Sequence, residues 1–201
     1  MMDNKLILHC TDPEAVPVDR AALIHTLGAE GLLGEAFAFR GTTHYQAGEA
    51  FLHLITFLGC SPSVATRPAH AAATGAGFCH IEVSPILAEV TFLGGSNTKP
   101  PLCPQCRGRE TQWHELLRTW SFEKQACGWT CSHCGLGAHP HRLNWREYGG
   151  FGRFYLAIWD IAEGTALPGE RLLALLRAQT GCAWRFFYFT GEPFMQETTL
   201  A

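Results

Sequence analysis

The sequence predicts an α+β fold: a mixed or antiparallel sheet with packing helices, interrupted by a small metal-stapled insertion. Three observations carry that expectation. Apolar runs of period two and of period 3.6 occur on both sides of the middle of the chain. Apolar residues make up 47% of the 201 positions and charged residues 16%, which is enough for a core and unlike a disordered chain. Two Cys-x-x-Cys pairs, Cys103-Pro-Gln-Cys106 and Cys131-Ser-His-Cys134, are separated by 24 residues.

The elements follow in order. Residues 5–10 form a short strand around Leu6, Ile7 and Leu8, and Thr11-Asp12-Pro13 turns the chain. A helix starts near Pro17, with Asp19 in its first turn and Ala22, Leu23, Ile24 and Leu27 on its apolar side. Residues 34–41 place Phe37 and Phe39 at strand spacing. Residues 46–58 read as a helix through Phe51, Leu52, Ile55 and Leu58, ended by Gly59-Cys60-Ser61-Pro62. Residues 65–77 are small and loop-like. Residues 78–83 and 86–93 read as two strands joined by a turn at Ser84-Pro85. Between the cysteine pairs, Trp113, Leu116, Leu117 and Trp120 recur at helical spacing. Residues 153–161 form an aromatic strand, 168–179 an apolar helix and 184–189 a final strand, with a loose tail from Gly191. Ala15-Val-Pro-Val-Asp-Arg20 echoes Ala166-Leu-Pro-Gly-Glu-Arg171, which suggests two related strand–helix–strand halves, residues 5–40 and 155–190; a common helix start is the plainer explanation.

The cysteine pairs carry the chemistry. Each pair can bend into a turn that points two sulfurs at one spot, and two such turns supply four thiolates at tetrahedral corners. Gly135 follows the second pair where the turn is sharp, and Pro104 fixes one φ inside the first. The pattern Cys-Pro-x-Cys followed by Trp129-x-Cys-x-x-Cys-Gly resembles the four-cysteine zinc-ribbon superfamily over residues 99–139. The resemblance implies a zinc ribbon with a structural ion on Cys103, Cys106, Cys131 and Cys134; four thiolates also suit iron. The expected organisation is an α+β body in residues 1–98, a ribbon with a short helix in 99–141, and the second half of the body in 142–201. A plain ribbon has a hairpin in the gap, so the helix is a departure; it would dock the module through its tryptophans. Cys127, His133, His139 and His141 are expected bystanders.

Other candidates are weaker. Cys60 sits at a helix exit, which does not favour a thiolate. His44, His53, His70 and His80 could pair with it in space, and His53 reads as a core histidine. Cys10, Cys79 and Cys182 adjoin strands as buried small hydrophobes. Gly149-Gly-Phe-Gly152 lies between Arg146 and Arg153 and could hold an anion, though its expected role is to feed a strand. Trp145, Trp159, Trp184 and Phe186 to Phe189 belong to the core, but strand alternation predicts that part of the set is an exposed partner surface.

The net charge of −3 gives no global case for nucleic acid. Residues 99–147 hold seven Lys and Arg against four Asp and Glu, with eight against fourteen elsewhere, so the ribbon is a mildly basic island. The first stretch, with three clustered aliphatics before His9, is too short for a signal-peptide core, and no apolar run is long enough for a membrane. A reducing cytoplasmic setting is expected, where thiols stay free or bind metal. Three functions fit: a non-catalytic zinc protein acting through a protein partner; a nucleic-acid-associated factor with Arg107, Arg109, Lys124 and Arg142 on phosphates; and an enzyme using Cys60 or His70.

Overall fold

The computed structural model describes residues 3–58, 65–66, 77–122 and 128–194. In chain order the elements are β1 (Asn4–Cys10), α1 (Arg20–Ala29), β2 (Leu33–Phe39), β3 (Thr42–Ala47), α2 (Phe51–Leu54), β4 (Ile55–Phe57), β5 (His80–Val83), β6 (Thr91–Leu93), α3 (Trp113–Phe122), β7 (Trp129–Thr130), β8 (Gly137–Ala138), β9 (Gly150–Gly152), β10 (Tyr155–Trp159), β11 (Ala166–Pro168), α4 (Glu170–Thr180) and β12 (Trp184–Thr190). The class is α+β as expected. The main sheet has the order β12-β1-β10-β5-β3-β2, and β11-β4, β6-β9 and β7-β8 form small pairs. Every strand pairing among the described residues is antiparallel.

The centre of the sheet is a doubled split β-α-β arrangement. Strands β1 and β5 flank β10, and β10 and β12 flank β1. The echo between residues 5–40 and 155–190 therefore fails as drawn. Strand β2, which follows α1, lies four places from β1, whereas β12 lies two places from β10. The strand two places from β1 is β5, reached after the β2-β3 hairpin has extended the edge. That hairpin turns at Arg40 and Gly41, both with positive φ, the geometry whose twist matches the strands.

Alternation divides β1 between two cores. Leu6, Leu8 and Cys10 pack with Leu23 and Leu27 of α1 and Leu172 and Leu176 of α4. Ile7 packs on the opposite face with Ala157, Trp159, Phe187 and Phe189. Strand β12 does the same, with Trp184 and Tyr188 on the helix side. The expected exposed aromatic patch is thus absent from the described residues. Trp159, Trp184, Phe187, Tyr188 and Phe189 are buried because both faces of the sheet centre are covered, Trp145 is buried in a separate cluster with Phe92 and Phe151, and Phe186 is half-buried.

Three local expectations are corrected. The first helix starts at Arg20 rather than near Pro17, because the Asp19 carboxylate caps it, accepting from the N–H groups of Ala21 and Ala22 at 2.8 and 3.1 Å. The helix expected over 46–58 is a single turn between β3 and β4. Of its supposed apolar face, Leu52 is 59% and Leu58 46% exposed, while Ile55 and Thr56 pair with Pro168 and Leu167. The residues around Ser84-Pro85 do not join a hairpin. Strand β5 pairs with β10 and β3, and β6 pairs with β9. Arg20 holds the exit from β5, donating to the carbonyls of Val83 and Ser84 at 2.7 Å each.

The outer edge of β12 is closed by residues 95–97. Asn97 donates through Nδ2 to the Tyr188 carbonyl at 2.9 Å and accepts from the Thr190 N–H at 3.0 Å, so one side chain imitates a short strand. Asn97→Ala is expected to lower stability by about 1–3 kcal/mol, read as a lower urea midpoint at unchanged slope. An unchanged midpoint would show that the edge is not held by this side chain.

Candidate metal centre

Two chain segments build the site with the same local device. In the first, the Cys103 N–H donates to the Gly108 carbonyl at 2.8 Å and the Arg107 N–H to the Cys103 carbonyl at 3.0 Å. In the second, the Cys131 N–H donates to Leu136 and the Gly135 N–H to Cys131, each at 2.9 Å. Both loops need a left-handed residue at the same place. Gly135 supplies it freely at φ 74°, whereas Arg107 adopts φ 60° against its Cβ. A side chain at Gly108 would come within 2.5 Å of the His133 ring, so the second loop lies directly over the first.

The result is one cluster. The four Sγ atoms lie within 4.8 Å of one another, with Cys103–Cys134 at 3.8 Å and Cys106–Cys131 at 3.6 Å. Sulfurs about 2.3 Å from a tetrahedral ion are about 3.8 Å apart, so the spacing fits a metal. It is far too long for disulfides, and all four thiols are free. Cys103 and Cys131 are buried and Cys106 and Cys134 exposed, so the cluster has an inner and an outer side. Burial alone would raise the Cys103 thiol. The N–H groups of Cys106 and Gln105 and the neighbouring thiols outweigh it and hold that thiol down at about 7. At Cys134 the Leu136 N–H favours the thiolate, but burial and the other three thiols push it up to about 12. The clustered thiols thus favour one thiolate, at Cys103, and oppose another, at Cys134; a cation would favour ionisation of all four.

The inner side joins a second core. Cys103 and Cys131 pack with Trp113, Leu117 and Trp120 of α3, Trp129 of β7, Leu143, Trp145, Phe92 of β6 and Phe151 of β9. The expected helix in the gap is present and docks through its tryptophans: Trp120 meets Phe151 edge-on at 5.0 Å. The pair β7-β8 carries the second loop, with Trp129 opposite Ala138. Trp129 donates from Nε1 to Glu110 at 2.7 Å, tying this hairpin to the first loop. Leu102 and Asn144 exchange two backbone bonds, which fasten the first loop to the returning chain.

The bystanders separate. His133 and His139 are exposed, and His139 stacks on His141 at 5.5 Å; neither joins the sulfur cluster. Arg107, Arg109 and Arg142 are exposed and make no ion pair among the described residues. Lys124, Cys127, Cys60 and His70 lie outside the described residues. His53 is exposed, not a core histidine. Cys10 and Cys79 are buried, and burial pushes each thiol up to about 12; Cys182 is half-buried. Compared with known proteins, the chain matches no family model, no curated protein and no solved structure. Among the described residues no helix is long and apolar enough to cross a membrane.

Two of the histidines offered as possible partners of Cys60, His44 and His80, instead lie together. His44 and His80 lie on neighbouring strands with rings 5.0 Å apart, and Nδ1 of His44 and Nε2 of His80 are buried without a partner. His9 is buried behind β9. The strand registers put His44, His80 and His9 on one face of the sheet, which is covered. Burial lowers both His9 and His44 from 6.5 to about 4; the cations Arg185 near His9, and Lys5 and Arg40 near His44, act in the same direction. The unfolded chain then binds more protons below 6.5, so the stability present above that pH is lost as it falls towards 4. For His9 alone the loss by pH 4.5 is about 2–3 kcal/mol. Urea midpoints at pH 7 and pH 4.5 should converge more in His9→Asn than in the unaltered protein; an equal fall in both would contradict the assignment.

Proposed function

We propose that Cys103, Cys106, Cys131 and Cys134 hold a zinc ion with a structural role, and that the chain is a non-catalytic zinc protein acting through contact with a protein partner. The convergence of the four sulfurs carries this reading. The donor set fits: four thiolates complete a tetrahedral zinc shell and leave no position for water or substrate, so the ion orders the chain around it. Zinc is favoured over iron by the ribbon-like loops. The free thiols of the described cysteines accord with a reducing cytoplasmic setting.

Such an ion contributes on the order of 10–16 kcal/mol to the module that it closes. The protein as purified should contain one zinc per chain and little iron. Cys131→Ser, or a strong chelator, should release the zinc and shift the fluorescence of Trp113, Trp120, Trp129 and Trp145 towards that of exposed indoles. A partner captured from the source cell should be lost with the same variant. Protein free of zinc, or zinc loss with unchanged tryptophan emission, would overturn the structural role; a partner retained after release would overturn the dependence of binding on the module.

A further inference from the structure

Beside the second core, the end of β1 and the start of β12 meet the chain returning from the metal loops. They enclose a cavity of about 60 Å³. By the same measure one water needs about 10–15 Å³, so there is room for several waters or one tetrahedral oxyanion. His141, Arg146 and Arg185 line it, with the bare backbone of Gly149 and Gly150, and no carboxylate among the described residues does. Arg185 is exposed and makes no ion pair among those residues. Arg146 gives one N–H to the Pro100 carbonyl at 2.9 Å, which leaves most of its donors unused. Its backbone is left-handed at φ 58°, a conformation held by the Asn144 side chain, which accepts from the Arg146 N–H at 3.0 Å. Arg153, the other arginine flanking the glycines, is already engaged by the Leu87 carbonyl and Glu14.

His9 makes the cavity selective. It is 8% exposed, and its Nδ1 lies 3.2 Å from the Phe151 carbonyl. A carbonyl only accepts, so the ring proton is on Nδ1 and Nε2 of the neutral imidazole is a bare lone pair. His9 lines the cavity, and its Nε2 packs against Gly150, where any side chain would approach to 2.4 Å. A fully deprotonated anion would meet this lone pair with another. Hydrogen phosphate carries charge for the arginines and an O–H for the imidazole; sulfate carries charge alone.

We propose that this cavity binds phosphate, with Arg185 and Arg146 on the anionic oxygens and Nε2 of His9 accepting from the remaining O–H. The site does not depend on which metal the cysteines hold. Calorimetric titration of the protein as isolated, near neutral pH, with inorganic phosphate, sulfate and methyl phosphate tests it. One phosphate per chain should bind, with sulfate at least about ten-fold weaker, the ratio that one charged hydrogen bond commands. Methyl phosphate is compared with phosphate at about pH 5.5, where the ester keeps its O–H; equal binding there assigns the site to phosphomonoesters, and its exclusion to inorganic phosphate. Arg185→Ala, a surface change, should weaken phosphate about ten-fold. His9→Asn keeps an amide donor for the Phe151 carbonyl, but its amide oxygen stops short of the position of Nε2, so no acceptor remains there and phosphate and sulfate should come close to parity. No saturable phosphate binding, equal affinity for sulfate in the unaltered protein, or an Arg185→Ala variant that binds undiminished would overturn the proposal.

Discussion

Four thiols converge at the outer end of the second core, and the two loops that carry them are brought together there. Each loop is closed by only two backbone hydrogen bonds, and one of the loops holds Arg107 in a left-handed conformation. Bonds of that kind contribute about 1 kcal/mol each, too little to bring two distant segments together. Buried tryptophans supply the rest on the inner side. On the outer side Cys106 and Cys134 face solvent, where burial contributes little. The proposed zinc, shared by four sulfurs, would close this side.

The cysteine loops and α3 are coupled to the sheet through side chains that serve both. Phe151 of β9 packs against Trp120 of α3 and against Trp145, while its carbonyl accepts from His9 on β1. The Leu102–Asn144 backbone pair fixes the returning chain, and Arg146 follows directly. The cavity lined by His9, Arg146 and Arg185 therefore draws residues from the main sheet and from the chain beside the second core. Ordering the metal loops positions residues that lie outside them.

Much of this was legible in the sequence, and the parts that were not share a cause. The ligand set could be read because Cys-x-x-Cys spacing encodes a local turn, and the helix over Trp113 to Trp120 because its apolar face is long and regular. Residues 46–58 misled because Leu52 and Leu58 carried half of the apparent period and both face solvent. Strand β9 was hidden in Gly150-Phe-Gly152, whose pairing with β6 reflects the tertiary position of Phe92 and Phe151 rather than local preference. The aromatic tail segment was judged as if one sheet face were open. Both faces are covered, so Phe187 and Phe189 are as deeply placed as Trp184 and Tyr188. His9 gave no signal, since its role depends on a carbonyl 142 positions away.

The central claim is that one ion sits among four sulfurs in a closed shell. X-ray absorption at the zinc edge on the purified protein tests it most directly. The account predicts a single zinc with four sulfur neighbours at about 2.3 Å and no nitrogen or oxygen in the shell. A zinc bound through imidazole or water, or sulfur neighbours fewer than four, would contradict it.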